Sequence, residues 1–403
     1  MKPFLPALLA LVALTAACGG NGEGAGTRPP ATTGTATETR AQPPPAAATA
    51  SQGWTATPIA EGIKPALALD GDGSPAVAYL REDVEHGFVA FASAAQDWQP
   101  EMVDEGYFYG PLDLAFDPEG RPHIVWHDHE GEEVDPRKGN LAYAVREGSS
   151  WQKEAARDQG HDGWDSTIAI GPDGVVRAAG IDPRQFGSED GVEYYERGED
   201  GWRAVSIGSG PIAYEFNVSL AVGPDGRPAL TYYDDRAGDL VFAALEGQEW
   251  RLETVLSEGD AGKFSSLAFD AAGRPHISFF EQGSETAGRI LYAVRDGGGW
   301  TIEEIGTLEQ VLLGMNGARR NSSLALDAAG VPHVAFSDQG VLRYAVRSES
   351  GWKVEDVASA GERPLGQLVS LRLDEAGGPH LAFYEVTGTG PLAGLVIHLA
   401  KSS

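Results

Sequence analysis

Two histidines two residues apart form the most compact group of potential metal ligands in this sequence. The segment WHDHEGEEVD begins at Trp126 and contains His127 and His129, followed by Glu132 and Glu133. On a β-strand, residues i and i+2 point to the same face. Imidazole and carboxylate groups on one face could bind a divalent cation. The alternative is a solvated loop, because the sequence identifies no distant partner ligand; no other cofactor is expected.

Aromatic and arginine side chains are concentrated in segments that differ between otherwise similar parts of the chain. Aromatic faces and guanidinium groups together suit a carbohydrate or peptide ligand, through stacking and bidentate hydrogen bonds. The candidate ligand-binding residues are Tyr107, Phe108, Tyr109, Trp164, Tyr214, Phe216, Phe264, Arg319 and Arg320. These aromatic rings could instead pack beneath their own loops.

Candidate catalytic groups are fewer. A hydrolase or lyase acting on polysaccharide would need carboxylates such as Asp128 or Asp165, with His161 or Arg320 nearby. The sequence contains no Gly-x-Ser-x-Gly elbow, no phosphate-binding loop and no His-Glu-x-x-His motif. These observations favour a non-catalytic role.

Most of these residues lie between copies of one repeated phrase. Its consensus is Ser-Leu-Ala-x-Asp-x-x-Gly-x-Pro-His-x-x-Phe-x-Asp, followed after a gap by Leu-x-Tyr-Ala-x-Arg, a turn and Trp. The turn glycine occurs seven times, at Gly73, Gly120, Gly174, Gly226, Gly273, Gly330 and Gly377. Each copy contains four short apolar or alternating runs bounded by Gly, Pro or Asp, which are typical of β-strands and hairpins. Seven four-stranded units of roughly 45 to 50 residues predict an all-β fold, a seven-bladed β-propeller of antiparallel blades.

The repeat is displaced at its ends in a way that predicts how the ring closes. Six copies end in a fourth strand that opens with Trp, but the last copy ends at LVIHLAKSS without one. The matching strand, GWTATPIAEG, begins at Gly53, before the first copy. We therefore expect the N-terminal strand to complete the last blade, as ring closure requires, whereas a solenoid would not split its final repeat.

Residues that recur in most copies are expected to serve the blade. Four histidines share the Pro-His position, and we expect them to form hydrogen bonds within each hairpin. The seven repeat tryptophans should pack one blade against the next, and the Asp before the turn glycine should accept backbone N–H bonds. A carboxylate also ends the second strand in six copies, where it either caps the next loop or faces a ligand: Asp128, Asp182, Asp234, Glu281, Asp338 and Glu385.

The four-strand pattern also distinguishes two faces of the ring. The turns joining the first to the second strand and the third to the fourth share one face, which is nearly identical in every copy; we call it the uniform face and expect it to be inert. The remaining loops and the crossovers between blades form the variable face. Variable loops on a rigid scaffold are the usual place for binding residues.

The N-terminus predicts export and lipid anchoring. Residues 1–17 contain Lys2, an apolar stretch and small residues before Cys18, the chain's only cysteine, as in a signal peptide that ends in a lipidation site. An ordinary secretory signal is the alternative. Residues 18–52 are rich in Pro, Ala, Thr and Gly and predict a disordered tether, and residues 53–403 hold the propeller. The net charge of −29 excludes a basic nucleic-acid footprint and leaves the lipid anchor as the membrane contact.

The phrase SLALDAAGVPHVAFSD…LRYAVRSESGW resembles the repeat of bacterial exported propellers, which are grouped with sialidase-type and lectin-type propellers. The chain lacks the Asp-box of sialidases, Ser-x-Asp-x-Gly-x-x-Trp, so the resemblance implies the fold more than glycosidase chemistry. We expect a lipoprotein of the cell envelope (outer membrane or cell surface), monomeric, that binds a glycan, peptide or partner protein. A polysaccharide hydrolase or lyase and a structural component of an envelope assembly are the alternatives.

Overall fold

The computed structural model of this chain confirms an all-β propeller. It describes residues 48–82, 87–108, 110–129, 139–157, 163–182, 191–209, 218–284, 287–308, 322–338, 340–361, 365, 368–387 and 393–402. In this part of the chain a single 3₁₀ turn, Ala94–Gln96, interrupts the strands, and no helix has the length and apolarity to cross a bilayer.

Seven antiparallel blades of four strands form the ring, and their strands are numbered in chain order from the inner to the outer strand. Two strands precede them: β1 (Thr49–Ala50) and β2 (Trp54–Glu61). Blade 1 contains β3 (Ile63–Leu69), β4 (Pro75–Glu82), β5 (Gly87–Ser93) and β6 (Glu101–Phe108). Blade 2 contains β7 (Asp113–Phe116), β8 (Pro122–His129), β9 (Asn140–Glu147) and β10 (Ser150–Arg157). Blade 3 contains β11 (Trp164–Ile170), β12 (Val176–Asp182), β13 (Gly191–Gly198) and β14 (Gly201–Ser209).

The remaining blades repeat this order. Blade 4 contains β15 (Ser219–Val222), β16 (Pro228–Asp234), β17 (Asp239–Glu246) and β18 (Glu249–Leu256). Blade 5 contains β19 (Ala261–Phe269), β20 (Pro275–Gln282), β21 (Gly288–Asp296) and β22 (Gly299–Leu308). Blade 6 contains β23 (Ser322–Leu326), β24 (Pro332–Asp338), β25 (Val341–Ser348) and β26 (Gly351–Ser359). Blade 7 contains β27 (Ser370–Leu373), β28 (Pro379–Val386) and β29 (Gly394–Lys401), with β2 as its outer strand.

The ring closes as the displaced repeat predicts. Each inner strand contacts the inner strand of the next blade, and β27 of blade 7 contacts β3 of blade 1. The N-terminal β2 pairs with the C-terminal β29, from Trp54 opposite Lys401 to Glu61 opposite Leu395. The strands β2 and β29 therefore share one sheet, and the last blade has its full set of strands.

The ordered sheet begins earlier than Gly53, the start that composition suggests. β1 adds to the outer edge of blade 6, with Thr49 opposite Ser359. The backbone N–H of Ala48 also donates to Glu385 Oε2 of blade 7 (3.0 Å). These residues cross from one blade to the next through backbone hydrogen bonds, which small residues can make as well as large ones, so composition gives no sign of them.

The recurring residues hold each hairpin together. The turn glycines have φ between 72° and 81°, a left-handed conformation that Gly adopts without strain. The preceding Asp accepts backbone N–H bonds across the turn, as in Asp270 Oδ1 with Arg274 N (2.8 Å). In blade 2, His123 Nε2 lies 3.0 Å from Asp117 Oδ2, and its Nδ1 lies 2.6 Å from the Tyr143 hydroxyl. These contacts confirm the scaffold role predicted for the Pro-His histidines.

The seven repeat tryptophans join neighbouring blades, as predicted. Each indole packs against an aromatic ring on the third strand of the preceding blade, with ring centroids 5.0–5.4 Å apart. The inner strands add hydrogen bonds between blades, in which a side chain of one blade accepts a backbone N–H of the next. These bonds join Leu67 to Ser370, Ile168 to Asp113, Leu267 to Ser219, Leu324 to Ser266 and Leu371 to Ser323.

Candidate functional site

The structure places three of the aromatic residues predicted to bind a ligand in the packed interior. Phe108 packs edge-on against Trp126, Trp164 packs edge-on against His127, and Phe264 lies beside Phe280. None of the three is more than 7% exposed. In this arrangement their rings support the variable face from beneath and are not available as open stacking surfaces.

His127 and His129 lie side by side, as their spacing predicts. Their ring centroids are 6.1 Å apart, and both side chains are buried. The His127 ring is also closely packed against Gly139, where a Cβ atom would meet it at about 2.5 Å. Within the described residues, no group of three or more His, Cys, Asp or Glu side chains is placed to hold a metal.

The candidate catalytic carboxylates occupy different surroundings. Asp165 is fully buried and accepts the backbone N–H of Val218 on blade 4 (3.1 Å), so it joins two blades. Asp128 is the penultimate residue of β8 and pairs with Phe108 of blade 1, which joins the first two blades into one sheet. The two residues therefore stand at separate blade junctions.

The other candidate residues lie outside the part of the chain that can be described. These are Cys18, Tyr109, His161, Tyr214, Phe216, Arg319, Arg320 and the side chain of Tyr107. For them the sequence-based predictions stand as made.

A polar cluster on the variable face between blades 4 and 5 was missed by the sequence analysis. Lys263 Nζ donates to Asp260 Oδ2 (2.6 Å) and to Gln282 Oε1, and it lies 5.0 Å from the centre of the Tyr233 ring. The Tyr233 hydroxyl donates to Asp260 Oδ1 (2.5 Å). We call Tyr233, Asp260, Lys263 and Gln282 the blade 4–5 cluster.

The backbone of two loops holds this cluster in place. In the crossover into blade 5, the backbone N–H of Ala261 donates to the carbonyl oxygen of Gly238 (3.0 Å). The carbonyl oxygen of Asp260 accepts from the backbone N–H of Gln282 (2.8 Å). The carboxylate of Asp260 is thereby fixed between two blades. Its side chain is 41% exposed, whereas that of Lys263 is 6% exposed, so the carboxylate is the part of the cluster that faces solvent.

Burial, reinforced by the hydrogen bond to Asp260, raises the pKa of Tyr233 well above its usual value. The phenol is therefore protonated across the physiological range, and Asp260 acts as its acceptor. The sequence does carry a signal for this cluster in EGDAGKFS, where Asp260 and Lys263 flank Ala261 and Gly262. Sequence reasoning selected Phe264 from that segment, because exposure could not be judged before the fold was known.

The carboxylates that end the second strands have several roles. Asp234 caps its own loop by accepting from Arg236 N (3.0 Å). Glu281 and Asp338 instead pair with arginines on the neighbouring third strand, at 2.5 Å and 2.9 Å. Glu385 binds the N-terminal segment at Ala48. In these four blades the carboxylates have structural partners.

Comparisons with known proteins concern the fold. The chain superposes on an ulvan lyase of polysaccharide lyase family PL25 with a TM-score of 0.58 and 12% identity, over 86% of this chain and 96% of that one. The fold resembles that of polysaccharide-active propellers. The polysaccharide lyase Uly1 gives 0.52 and 12% identity, over 86% and 91% of the two chains. The GH93 α-L-arabinofuranosidase of Fusarium graminearum gives 0.50 and 15%, over 72% and 92%. No protein-family model and no curated protein sequence matches this chain.

Proposed function

We propose that this protein is a lipid-anchored, extracytoplasmic propeller that binds a glycan on its variable face. The observation that carries the proposal is the blade 4–5 cluster, which presents a half-exposed carboxylate fixed by a tyrosine and a lysine. Oriented acceptors and donors beside an aromatic ring are the groups that recognise sugar hydroxyls. The likeness to lyase and arabinofuranosidase propellers supports a glycan over a peptide or a protein partner.

The charge of the chain favours a neutral glycan. A net charge of −29 gives the molecule a negative potential that repels polyanions at long range. Neutral polysaccharides carry no such penalty.

The exposed apolar surface gives less support to a purely structural role in a larger assembly. Among the described residues, the exposed large hydrophobic side chains are Met102, Leu252 and Val354. They lie on the outer strands of three different blades and form no common patch. A large assembly contact usually needs a contiguous apolar area. We therefore expect a monomer.

The test is binding of the purified protein to an array of neutral and acidic polysaccharides. The Asp260→Asn and Lys263→Met variants remove the central charges of the blade 4–5 cluster, and a double Arg319→Ala, Arg320→Ala variant tests the two arginines predicted from the sequence. Lys353→Met, exposed on the outer strand of blade 6, is the matched control. We expect saturable binding to a neutral glycan that the cluster variants weaken about tenfold and the control leaves unchanged. Binding only to proteins from envelope extracts, with no signal on any glycan, would contradict the proposal.

One observation favours an enzyme as the second candidate. A tyrosine hydroxyl hydrogen-bonded to a carboxylate can exchange a proton with a substrate, and a lysine beside it can stabilise developing negative charge. Tyr233, Asp260 and Lys263 have this arrangement. Product analysis on each bound polysaccharide distinguishes the two functions. Shortening of the polymer that Tyr233→Phe abolishes, with binding retained, would establish catalysis.

A further inference from the structure

A repeated ion pair fills the junction between most neighbouring blades. A Glu three residues after the repeat Trp, on the outer strand of one blade, pairs with a basic residue at the end of the third strand of the next. Five of the seven junctions contain this pair, at 2.7–3.2 Å: Glu101–Arg146, Glu154–Arg197, Glu253–Arg295, Glu303–Arg347 and Glu355–Lys401. In four of them the Glu also accepts the indole N–H of the next repeat Trp.

The junction between blades 3 and 4 departs from this pattern at both positions. Val205 stands where the Glu would be, and Leu245 stands where the basic residue would be. The indole N–H of Trp250 thus lacks the Glu acceptor that four other repeat tryptophans have. A cavity of about 290 Å³ opens at this point, which is near the lower limit for small-molecule sites. We call it the blade 3–4 pocket.

A third substitution places a carboxylate beside the same pocket. Glu196 lies two residues after Tyr194, at a position that is aliphatic or a serine in the other blades. It accepts the Tyr194 hydroxyl at Oε2 (2.8 Å) and lies 3.4 Å from Arg177 Nε. Glu196, Arg203 and Trp250 all line the pocket. At these three positions, Val205, Leu245 and Glu196 differ from the residues of the other blades. An open, amphipathic cavity therefore takes the place of the salt bridge.

The lining indicates the chemistry of the ligand. Val205, Leu245 and the rings of Tyr194 and Trp250 supply an apolar surface, while Glu196 and Arg203 supply an acceptor and donors at its edge. An acidic and a basic group together leave little net charge, so a neutral ligand with hydroxyl groups fits better than an ion. A pyranose or furanose ring has one apolar face and a rim of hydroxyls, which matches this lining.

We propose that the blade 3–4 pocket binds one neutral saccharide residue. The pocket opens near the hairpin that contains Gly247 and Gln248, on the uniform face that the sequence analysis expects to be inert. It therefore lies on the opposite face of the ring from the blade 4–5 cluster. The proposal for this pocket does not depend on the function proposed for the variable face. Two such sites would allow the protein to hold a polysaccharide at two points.

The decisive variant restores the repeat. Val205→Glu combined with Leu245→Arg rebuilds the ion pair of the other junctions, fills the pocket and gives Trp250 its acceptor. We expect this double variant to fold at least as stably as the wild type. A loss of ligand binding in it would then not reflect unfolding, which a Trp250 substitution could not exclude. Glu196→Val, which restores an aliphatic residue, is the second variant.

The measurement is saturation-transfer NMR with the methyl glycosides of glucose, galactose, mannose, fucose, xylose and arabinose at millimolar concentration. We expect saturation of at least one glycoside and quenching or enhancement of Trp fluorescence. The double variant should reduce the affinity about tenfold or more, while Arg251→Gln on the neighbouring exposed strand leaves it unchanged. Asp260→Asn should also leave it unchanged, since that residue reports on the variable face. No saturation by any glycoside, or saturation that the double variant retains, would overturn the proposal.

Discussion

His398 shows how a single residue changes the acid stability of a repeat. It occupies the third-strand position that holds Tyr143, Tyr292 or Tyr344 in other blades, and it stacks on His380 with Nε2 3.0 Å from His380 Nδ1. Burial, with the His380 charge as a smaller cause, lowers the pKa of His398 from 6.5 to about 4. The folded protein therefore keeps this group neutral at pH values at which the unfolded chain binds a proton.

The sign of the resulting pH dependence follows from that difference. The stability contribution is complete above pH 6.5 and is lost as the pH falls toward 4. The lost free energy of unfolding is roughly 3 kcal/mol. We expect His398→Tyr to make the decline between pH 7 and 4 shallower by about that amount, measured by urea unfolding. Tyr344→His is the reciprocal variant and should steepen the decline; equal slopes for all three proteins would contradict the assignment.

Three of the four Pro-His histidines contribute in the same direction. Burial lowers the pKa of His123, His276 and His333, although the neighbouring Asp of each turn opposes the shift. Protonation of these histidines is therefore less favourable in the folded state than in the unfolded chain. A steep residual loss of stability in mildly acidic solution is expected to remain in the His398 variant.

At the scale of elements, the N-terminal strand β2 closes the ring. β2 pairs with β29 along its whole length and buries Trp54 against Tyr344 of blade 6. Its removal would expose the edge of blade 7 and leave a cavity at the junction of blades 6 and 7.

Deletion of residues 53–62 should therefore lower the free energy of unfolding by about 3 to 5 kcal/mol or more. The melting temperature, measured by circular dichroism during thermal unfolding, reports the effect. A deletion of residues 19–42 from the predicted tether is the control and should leave the melting temperature unchanged. A β2 deletion that melts like the intact protein would disprove the closure.

At the scale of the whole molecule, two electrostatic effects oppose each other. The net charge of −29 means that the excess carboxylates of the folded ring repel one another, and salt screens that repulsion. The same salt weakens the half-exposed ion pairs between blades, each of which contributes only about 1 kcal/mol or less.

Because the excess negative charge is large and the junction pairs are individually weak, we expect added salt to stabilise the protein. The melting temperature should rise by a few degrees between low and physiological ionic strength. Differential scanning fluorimetry in sodium chloride checks this, with sucrose as a control for non-ionic solvent effects. A melting temperature that falls with salt would mean that the junction pairs dominate.

The sequence alone determined the blade number, the strand order and the closure, because each copy repeats the same turn glycine, Pro-His pair and tryptophan. Because the same local hydrogen bonds and packing contacts are needed in each blade, the residues that make them recur and can be recognised from the sequence. Sequence reasoning also identified the scaffold histidines and tryptophans, since recurrence distinguishes blade packing from chemistry.

Only the tertiary structure decided which unusual residues face solvent. Trp164 and Phe264 come from segments that resemble binding loops, but both are buried. The Asp260 carboxylate faces solvent instead, held by Tyr233 and Lys263 from two blades. The blade 3–4 pocket likewise depends on Val205 and Leu245, which are far apart in sequence and ordinary in type. Exposure and contacts between blades are properties of the assembled ring, so no single repeat encodes them.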